Sequence, residues 1–118
     1  MKYVLFINQA DTALGDPEKW AALSEDEQRS IASGYQAINQ TPGVTPGIGL
    51  DYPQTATTVR VQDGKTLTTD GPFVEMKEAL GGWLLFEADD IDAAIELASQ
   101  VPAARMGGAV EVRPIAEW

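Results

Sequence analysis

The sequence predicts an α+β fold in which an antiparallel sheet carries two main helices on one face. Residues 3–7 and 83–86 are continuous apolar runs with the length of buried central strands. Two stretches, 25–40 and 90–101, repeat apolar residues at helical spacing, and one follows each strand. A chain of 118 residues is expected to form a single domain, residues 1–118.

The first half of the chain predicts one strand followed by one long helix. Residues 3–7 form the strand, and Pro17 can open a short helical turn. Residues 24–27 read Ser-Glu-Asp-Glu, a capping box that starts the long helix, which is expected to end near Gln40. The Pro- and Gly-rich residues 41–53 indicate a loop or a broken strand.

A hairpin is predicted in the middle of the chain. Residues 57–62 alternate, and Val59 and Val61 are expected to face the core. Asp63-Gly64 is a strong two-residue turn signal, and residues 65–69 form the returning strand.

The last third predicts a strand, a helix and a strand. Residues 82–87 form the buried strand, and a helix follows over 90–101 with Asp89 as its N-cap. Residues 109–115 form the final strand, which Pro114 places at an edge. The resulting order, β-α-β-β-β-α-β, indicates a ferredoxin-like antiparallel sheet.

The two central strands are apolar on both faces. In residues 3–7 and 83–86 neither the odd nor the even positions are suited to water. A two-layer fold leaves one sheet face uncovered, so we expect a second subunit to cover it. Two sheets packed face to face would enclose a barrel-like interior, which makes the protein a homodimer.

Charge and composition exclude several classes of protein. Eighteen acidic residues against eight basic ones give a net charge of −10, which disfavours direct nucleic-acid binding. No apolar run reaches the roughly 20 residues that cross a bilayer, so no membrane partner is expected. The N-terminal residues lack the features of a secretory signal, so we expect a cytoplasmic protein.

The absent residue types limit the chemistry. The chain has no His and no Cys, which excludes Ser-His-Asp and Cys-His arrangements and imidazole or thiolate metal sites. Asp89, Asp90 and Asp92 are better explained by helix capping than by Mg²⁺. We therefore predict no metal and no cofactor, and the sequence favours a protein that is not an enzyme.

The segment after the hairpin holds the candidate catalytic residues Asp70, Glu75 and Lys77. One interpretation is a turn capped by the Asp70 side chain, with a solvated charged face after it. The other is a pocket wall in which Asp70, Phe73, Lys77 and Trp83 contact a ligand.

Arg60, Arg113 and Tyr3 are further candidate ligand contacts with a structural alternative. Arg60 and Arg113 lie at strand positions that point away from the helix-covered core. An arginine at such a position is expected to pair with Glu111, and the alternative is that it binds an anion. For Tyr3 and Trp83 the core is the favoured place, and contact with a ligand is the alternative.

Three sequence blocks resemble the YCII-related, or DGPF-domain, family. They are residues 1–5, residues 56–78 with Asp-Gly-Pro-Phe at positions 70–73, and residues 102–114. Residues 39–53 match this pattern less well. The resemblance implies a ferredoxin-like fold assembled as a dimer, and an extracytoplasmic-function sigma factor as a partner. Some relatives use a His–Asp pair in catalysis, which this chain cannot supply because it has no His.

The sequence therefore predicts a non-catalytic accessory or small-ligand-binding module that acts with a sigma factor. The first alternative is an enzyme on a small polar or anionic substrate, with Asp70 or Glu75 as general base and Lys77 or Arg113 holding the anion. The second alternative is a structural dimer that binds no ligand.

Overall fold

The computed structural model describes residues 1–9, 12–71 and 80–117. The strands in these ranges are β1 (Lys2–Asn8), β2 (Val44–Thr45), β3 (Thr57–Gln62), β4 (Lys65–Asp70), β5 (Leu80–Glu87) and β6 (Ala109–Pro114). The α-helices are α1 (Pro17–Ala22), α2 (Glu25–Asn39), α3 (Ile91–Ser99) and α4 (Pro102–Arg105).

The main sheet has four antiparallel strands in the order β2-β5-β1-β6. The apolar runs predicted to be central strands are β1 and β5, which lie in the middle. The predicted ferredoxin-like α+β layer pattern is therefore confirmed for this sheet. The edge position predicted from Pro114 is also confirmed, because β6 is an outer strand.

The hydrophobic core lies between this sheet and the helices. On the sheet side it contains Tyr3, Leu5, Leu84 and Phe86, and α2 contributes Ile38. Helix α3 contributes Ala94, Leu97 and Ala98 to the core, and α4 contributes Ala103. Because buried residues of β1 alternate with half-buried ones, the helices cover one face only.

Helix boundaries follow from the capping residues. The Ser24 side chain accepts from the Glu27 N–H at 3.1 Å, and the Glu27 carboxylate accepts from the Ser24 N–H at 3.2 Å, which confirms the predicted capping box. The N-cap of α3 is Asp90 rather than Asp89, because the Asp90 carboxylate accepts from the Ala93 N–H at 2.9 Å.

The hairpin is where the prediction fails. Strands β3 and β4 pair through an Asp63-Gly64 turn, as expected, with φ of +50° and +74° at the two turn residues. They form a separate two-stranded sheet rather than part of the main one. Val59 and Val61, predicted to face the core, are 59% and 68% exposed. Local alternation predicts that these two valines share one face of the strand, but no described layer packs against that face.

The open face of the main sheet carries apolar side chains, as the sequence predicts. Val4, Phe6, Trp83 and Leu85 occupy the positions between the core-facing ones and are half-buried. The register pairs Val4 with Leu85 and Phe6 with Trp83, so these four side chains form one continuous apolar patch. We call this set of four the sheet-face patch.

Within residues 1–9, 12–71 and 80–117, no helix combines the length and apolar character needed to cross a bilayer.

Candidate functional site

A cleft of about 220 Å³ lies where the long helix meets the ends of the two central strands. Its described lining residues are Ile7, Gln9, Tyr35, Asn39, Gly47, Ile48, Gly49, Gly81, Gly82, Trp83 and Leu84. We call this cleft the glycine-walled cavity, because four of these residues are glycines on two facing segments.

Two of the glycines, Gly47 and Gly82, lie where two backbones approach each other at this wall. After β2 the chain continues along the outer side of β5 to residue 50. Gly49 forms a β-bridge with Gly82, and the Leu50 N–H donates to the Gly81 carbonyl at 2.9 Å. A Cβ on Gly47 would overlap the carbonyl oxygen of Trp83. A side chain at position 47 would therefore push the loop away from β5 and open the wall.

Gly49 differs from Gly47 in the space around it. A Cβ built on Gly49 meets no described atom within 4 Å. The cavity wall can therefore be modified at this position without displacing the backbone.

Tyr35 carries the most unusual polar atom of the site. Its hydroxyl is buried and has no hydrogen-bond partner among the described residues. Burial raises the pKa of this hydroxyl, while Gln9 and the Ala103 main chain lie beside it and oppose the rise. Neither neighbour meets the distance and angle of a hydrogen bond, so the hydroxyl has no partner among the described residues.

The described lining of the cavity combines polar and apolar side chains. Gln9, Asn39 and Tyr35 supply amide and hydroxyl groups, and Ile7 and Leu84 supply apolar surface. None of the lining residues in the described ranges is ionised at neutral pH. Such a lining suits a neutral polar ligand, because a charged ligand would lose its hydration with no opposite charge to replace it.

Metal binding has no support in this part of the chain. Residues 1–9, 12–71 and 80–117 contain no cluster of three His, Cys, Asp or Glu side chains that could hold an ion.

Those predicted site residues that the structure describes do not meet in one place. Trp83 lines the glycine-walled cavity, although its strand position directs its side chain to the open face. Tyr3 lies in the core, 1% exposed, with its hydroxyl donating to Met1 Sδ at 3.6 Å. Arg60 and Asp70 lie on opposite faces of the hairpin. Asp70 pairs with Thr57 and therefore shares the face of the odd-numbered β3 residues, whereas Arg60 is even-numbered.

Arg113 is placed as the sequence predicts. Its guanidinium lies 2.6 Å from the Glu111 carboxylate, and its Cζ lies 5.7 Å from the centre of the Phe6 ring. Both partners of this ion pair are more than 40% exposed, so it contributes little to stability. Three further candidates, Phe73, Glu75 and Lys77, lie outside the described residues.

Sequence reasoning missed most of the cavity. Gln9, Tyr35 and Asn39 carry no motif, because they come from three separate segments. A usable signal was the Gly81-Gly82 pair inside a strand, since glycine there marks a close approach of another backbone or a ligand. The Gly47-Ile48-Gly49 run fails as a dinucleotide fingerprint, and it forms the facing wall instead.

The fold and the cavity together define a ferredoxin-like α+β protein with a small cleft whose described lining is uncharged. The sequence matches the YCII-related domain family over residues 1–118. It is also similar to an uncharacterized protein of Rhizobium meliloti (strain 1021), with 31% identity over 106 residues that cover 86% of each chain. The chain belongs to the YCII-related family.

Proposed function

We propose that this protein is a non-catalytic module that binds a small neutral polar molecule in the glycine-walled cavity. The observation that carries the proposal is the buried Tyr35 hydroxyl, which has no partner in the described part of the chain and sits at an uncharged cleft. A ligand acceptor that reaches this hydroxyl when the Gln9 side chain moves aside would satisfy it.

The size of the cleft sets the size of the ligand. Its volume of about 220 Å³ lies below the range of roughly 300–1,000 Å³ that drug-sized ligands occupy. The catalytic alternative is less well supported. Asp70 is exposed at the end of β4 and is not among the residues that line the cavity.

We further propose that the protein works as a cytoplasmic homodimer joined through the sheet-face patch. Four half-buried apolar side chains on a sheet face are poorly suited to water, and a second copy would cover them. Action with an extracytoplasmic-function sigma factor stays a prediction from the family resemblance, and co-purification of the two proteins tests it.

Ligand binding is tested by screening a library of small neutral amides, alcohols and lactams by thermal shift and by ligand-observed NMR. A compound at 100 times its dissociation constant should stabilise the fold by about 2.7 kcal/mol. The variant Asn39→Leu replaces an amide of the cavity lining with an apolar side chain and should abolish the shift.

Gln54→Leu is the matched control, because it makes a similar amide-to-leucine change at an exposed position away from the lining. Compounds should bind this variant as they bind the wild type. A library with no binder, or binders that Asn39→Leu retains at full affinity, would contradict the cavity as the site.

The dimer is tested separately by light scattering after size exclusion over a dilution series. Phe6→Glu places a charge in the sheet-face patch and should yield monomers. A wild-type protein that is monomeric at every concentration would refute the proposed assembly and leave the ligand proposal standing.

A further inference from the structure

The β3–β4 hairpin has no structural support of its own in the described residues. All six residues of β4 are exposed, as are five of the six in β3. Neither strand packs extensively against another described helix or strand. Because an isolated two-stranded hairpin is marginally stable in water at best, an ordered hairpin of this length needs a surface to lie on.

One face of the hairpin exposes two valines to solvent. Val59 and Val61 share this face with Thr66 and Thr68, which pair with them across the turn. The opposite face carries Arg60 and its neighbours on the even positions. The first face is therefore a β-branched strip around Val59 and Val61, with Asp70 as its charged residue at the base of the hairpin. Both valines are more than half exposed.

A complementary groove lies at the other edge of the main sheet. It runs between α3 and the outer strand β6, and it is lined mainly by Ile95, Ala98, Val110 and Val112. Ile95 is 53% exposed and Ile91, one helical turn earlier, is 41% exposed. We call this feature the α3–β6 groove.

The spacing of the two surfaces agrees. Val59 and Val61 are two strand residues apart, which separates them by about 7 Å. Ile91 and Ile95 are four helical residues apart, which separates them by about 6 Å. Val110 and Val112 have the same strand spacing as the valines of the hairpin, so the strip and the groove match in both period and chemistry.

The net charge of the hairpin makes it a better partner for α3 than the acidic surfaces of this protein. Residues 57–70 contain two bases and two acids and are neutral, whereas the chain carries −10. Residues 89–96 contain four acids and no base. A strongly acidic surface brought against this helix would be repelled, whereas the hairpin is neutral overall, with Arg60 and Lys65 on the face that points away from the groove.

Two-fold symmetry brings the two surfaces together. Two sheets can pack face to face about an axis parallel to their strands, and that axis sets the β2 edge of one copy over the β6 edge of the other. The hairpin leaves the body from the β2 side, after Gly49 and Leu50 have paired with β5. In such a dimer the hairpin extends toward β6 and α3 of the second copy.

We propose that the hairpin is a dimerisation arm, whose Val59 and Val61 face occupies the α3–β6 groove of a second copy, with the reciprocal contact made by the other arm. This inference rests on the proposed homodimer and adds a second contact surface to it. The arm accounts for the exposed valines, the exposed isoleucines and the lack of support for the hairpin with one interaction.

Cross-linking tests the arm cleanly because the chain has no Cys. A Val61→Cys chain is co-expressed with an Ile95→Cys chain, and the mixture is treated with a short bismaleimide. Each chain then holds one thiol, so every linked pair joins two copies. We expect the mixed pair to link at least tenfold more than a control pair in which Gln62→Cys replaces Val61→Cys, because Gln62 lies on the other hairpin face.

The outcomes separate the arm from the dimer itself. If the protein is dimeric but Val61→Cys links no better than Gln62→Cys, or links instead to Thr45→Cys on the open sheet face, the arm is wrong and the dimer stands. If the protein is monomeric, both fail. In a second measurement, Val61→Asp should raise the dimer dissociation constant at least tenfold and Gln62→Asp should leave it within threefold; equal effects would also refute the arm.

Discussion

Removal of the Tyr35 hydroxyl should stabilise the unliganded protein. In the unfolded chain this hydroxyl is hydrated, and in the fold it is buried with no partner among the described residues. Such a group costs about 1–3 kcal/mol of desolvation that no hydrogen bond returns. Tyr35→Phe keeps the ring, so most of the packing that surrounds it is retained.

The expected gain is about 1 kcal/mol, at the low end of that range, because Gln9 and the Ala103 main chain already solvate the oxygen in part. For a domain of this size, 1 kcal/mol corresponds to a rise in Tm of roughly 3–6 °C. The same variant should weaken any ligand that accepts a hydrogen bond from the hydroxyl, so stability and binding should move in opposite directions.

Urea unfolding followed by tryptophan fluorescence measures the change, with the slope m unchanged between variants. Tyr3→Phe is the matched control, because Tyr3 is also buried but its hydroxyl has Met1 Sδ as a partner. We expect this control to lose about 0.5–1 kcal/mol. A Tyr35→Phe protein less stable than the wild type by 1 kcal/mol or more would show that the hydroxyl is hydrogen-bonded, and the reasoning about the cavity would fail.

Three further predictions concern the same site and the hairpin base. Since the folded pKa of Tyr35 is raised, the unfolded state releases this proton first above about pH 10, so stability should fall with rising pH there. The slope in that range should be shallower in Tyr35→Phe. Gly47→Ala should lose about 1–3 kcal/mol, because its Cβ would overlap the Trp83 carbonyl oxygen, whereas Gly49→Ala should stay within about 0.5 kcal/mol. Gly71→Val should cost about 1–3 kcal/mol locally, because φ is +102° there, and amide exchange in β3 and β4 should accelerate.

Each of these predictions has a contrary outcome. Identical pH slopes for the wild type and Tyr35→Phe would show that the hydroxyl titrates normally. Equal losses in Gly47→Ala and Gly49→Ala would remove the close approach as the reason for glycine. Unchanged exchange in Gly71→Val would show that the hairpin does not depend on the left-handed conformation at its base.

The sequence predicted the main sheet and its capping well, because these depend on local patterns. The apolar runs of β1 and β5, the Ser24–Glu27 capping box and the Asp63-Gly64 turn each act over a few neighbouring residues. The placement of the hairpin could not be predicted in the same way. Alternation shows which residues share a face, but it does not show whether a second layer lies against that face.

The candidate site was predicted only at Trp83 for the same physical reason. The polar groups of the cavity, Gln9, Tyr35 and Asn39, are brought together by the packing of α2 on the sheet and not by spacing in the chain. The charged cluster that follows Asp70 stays a prediction, because Glu75 and Lys77 lie outside the described residues. Arg60 and Asp70 lie on opposite faces of the hairpin, which strand pairing determines and spacing along the chain does not.

The two ends of the hairpin meet at its base. The Gly71 N–H donates to the Ala56 carbonyl at 2.7 Å, and the Thr58 hydroxyl donates to the Gly71 carbonyl at 2.8 Å. Residues 57–70 can therefore be excised and their ends joined by a short turn without moving the rest of the chain. The same junction could accept an unrelated hairpin, which makes it a graft point where the body of the protein and its projecting element can be exchanged independently.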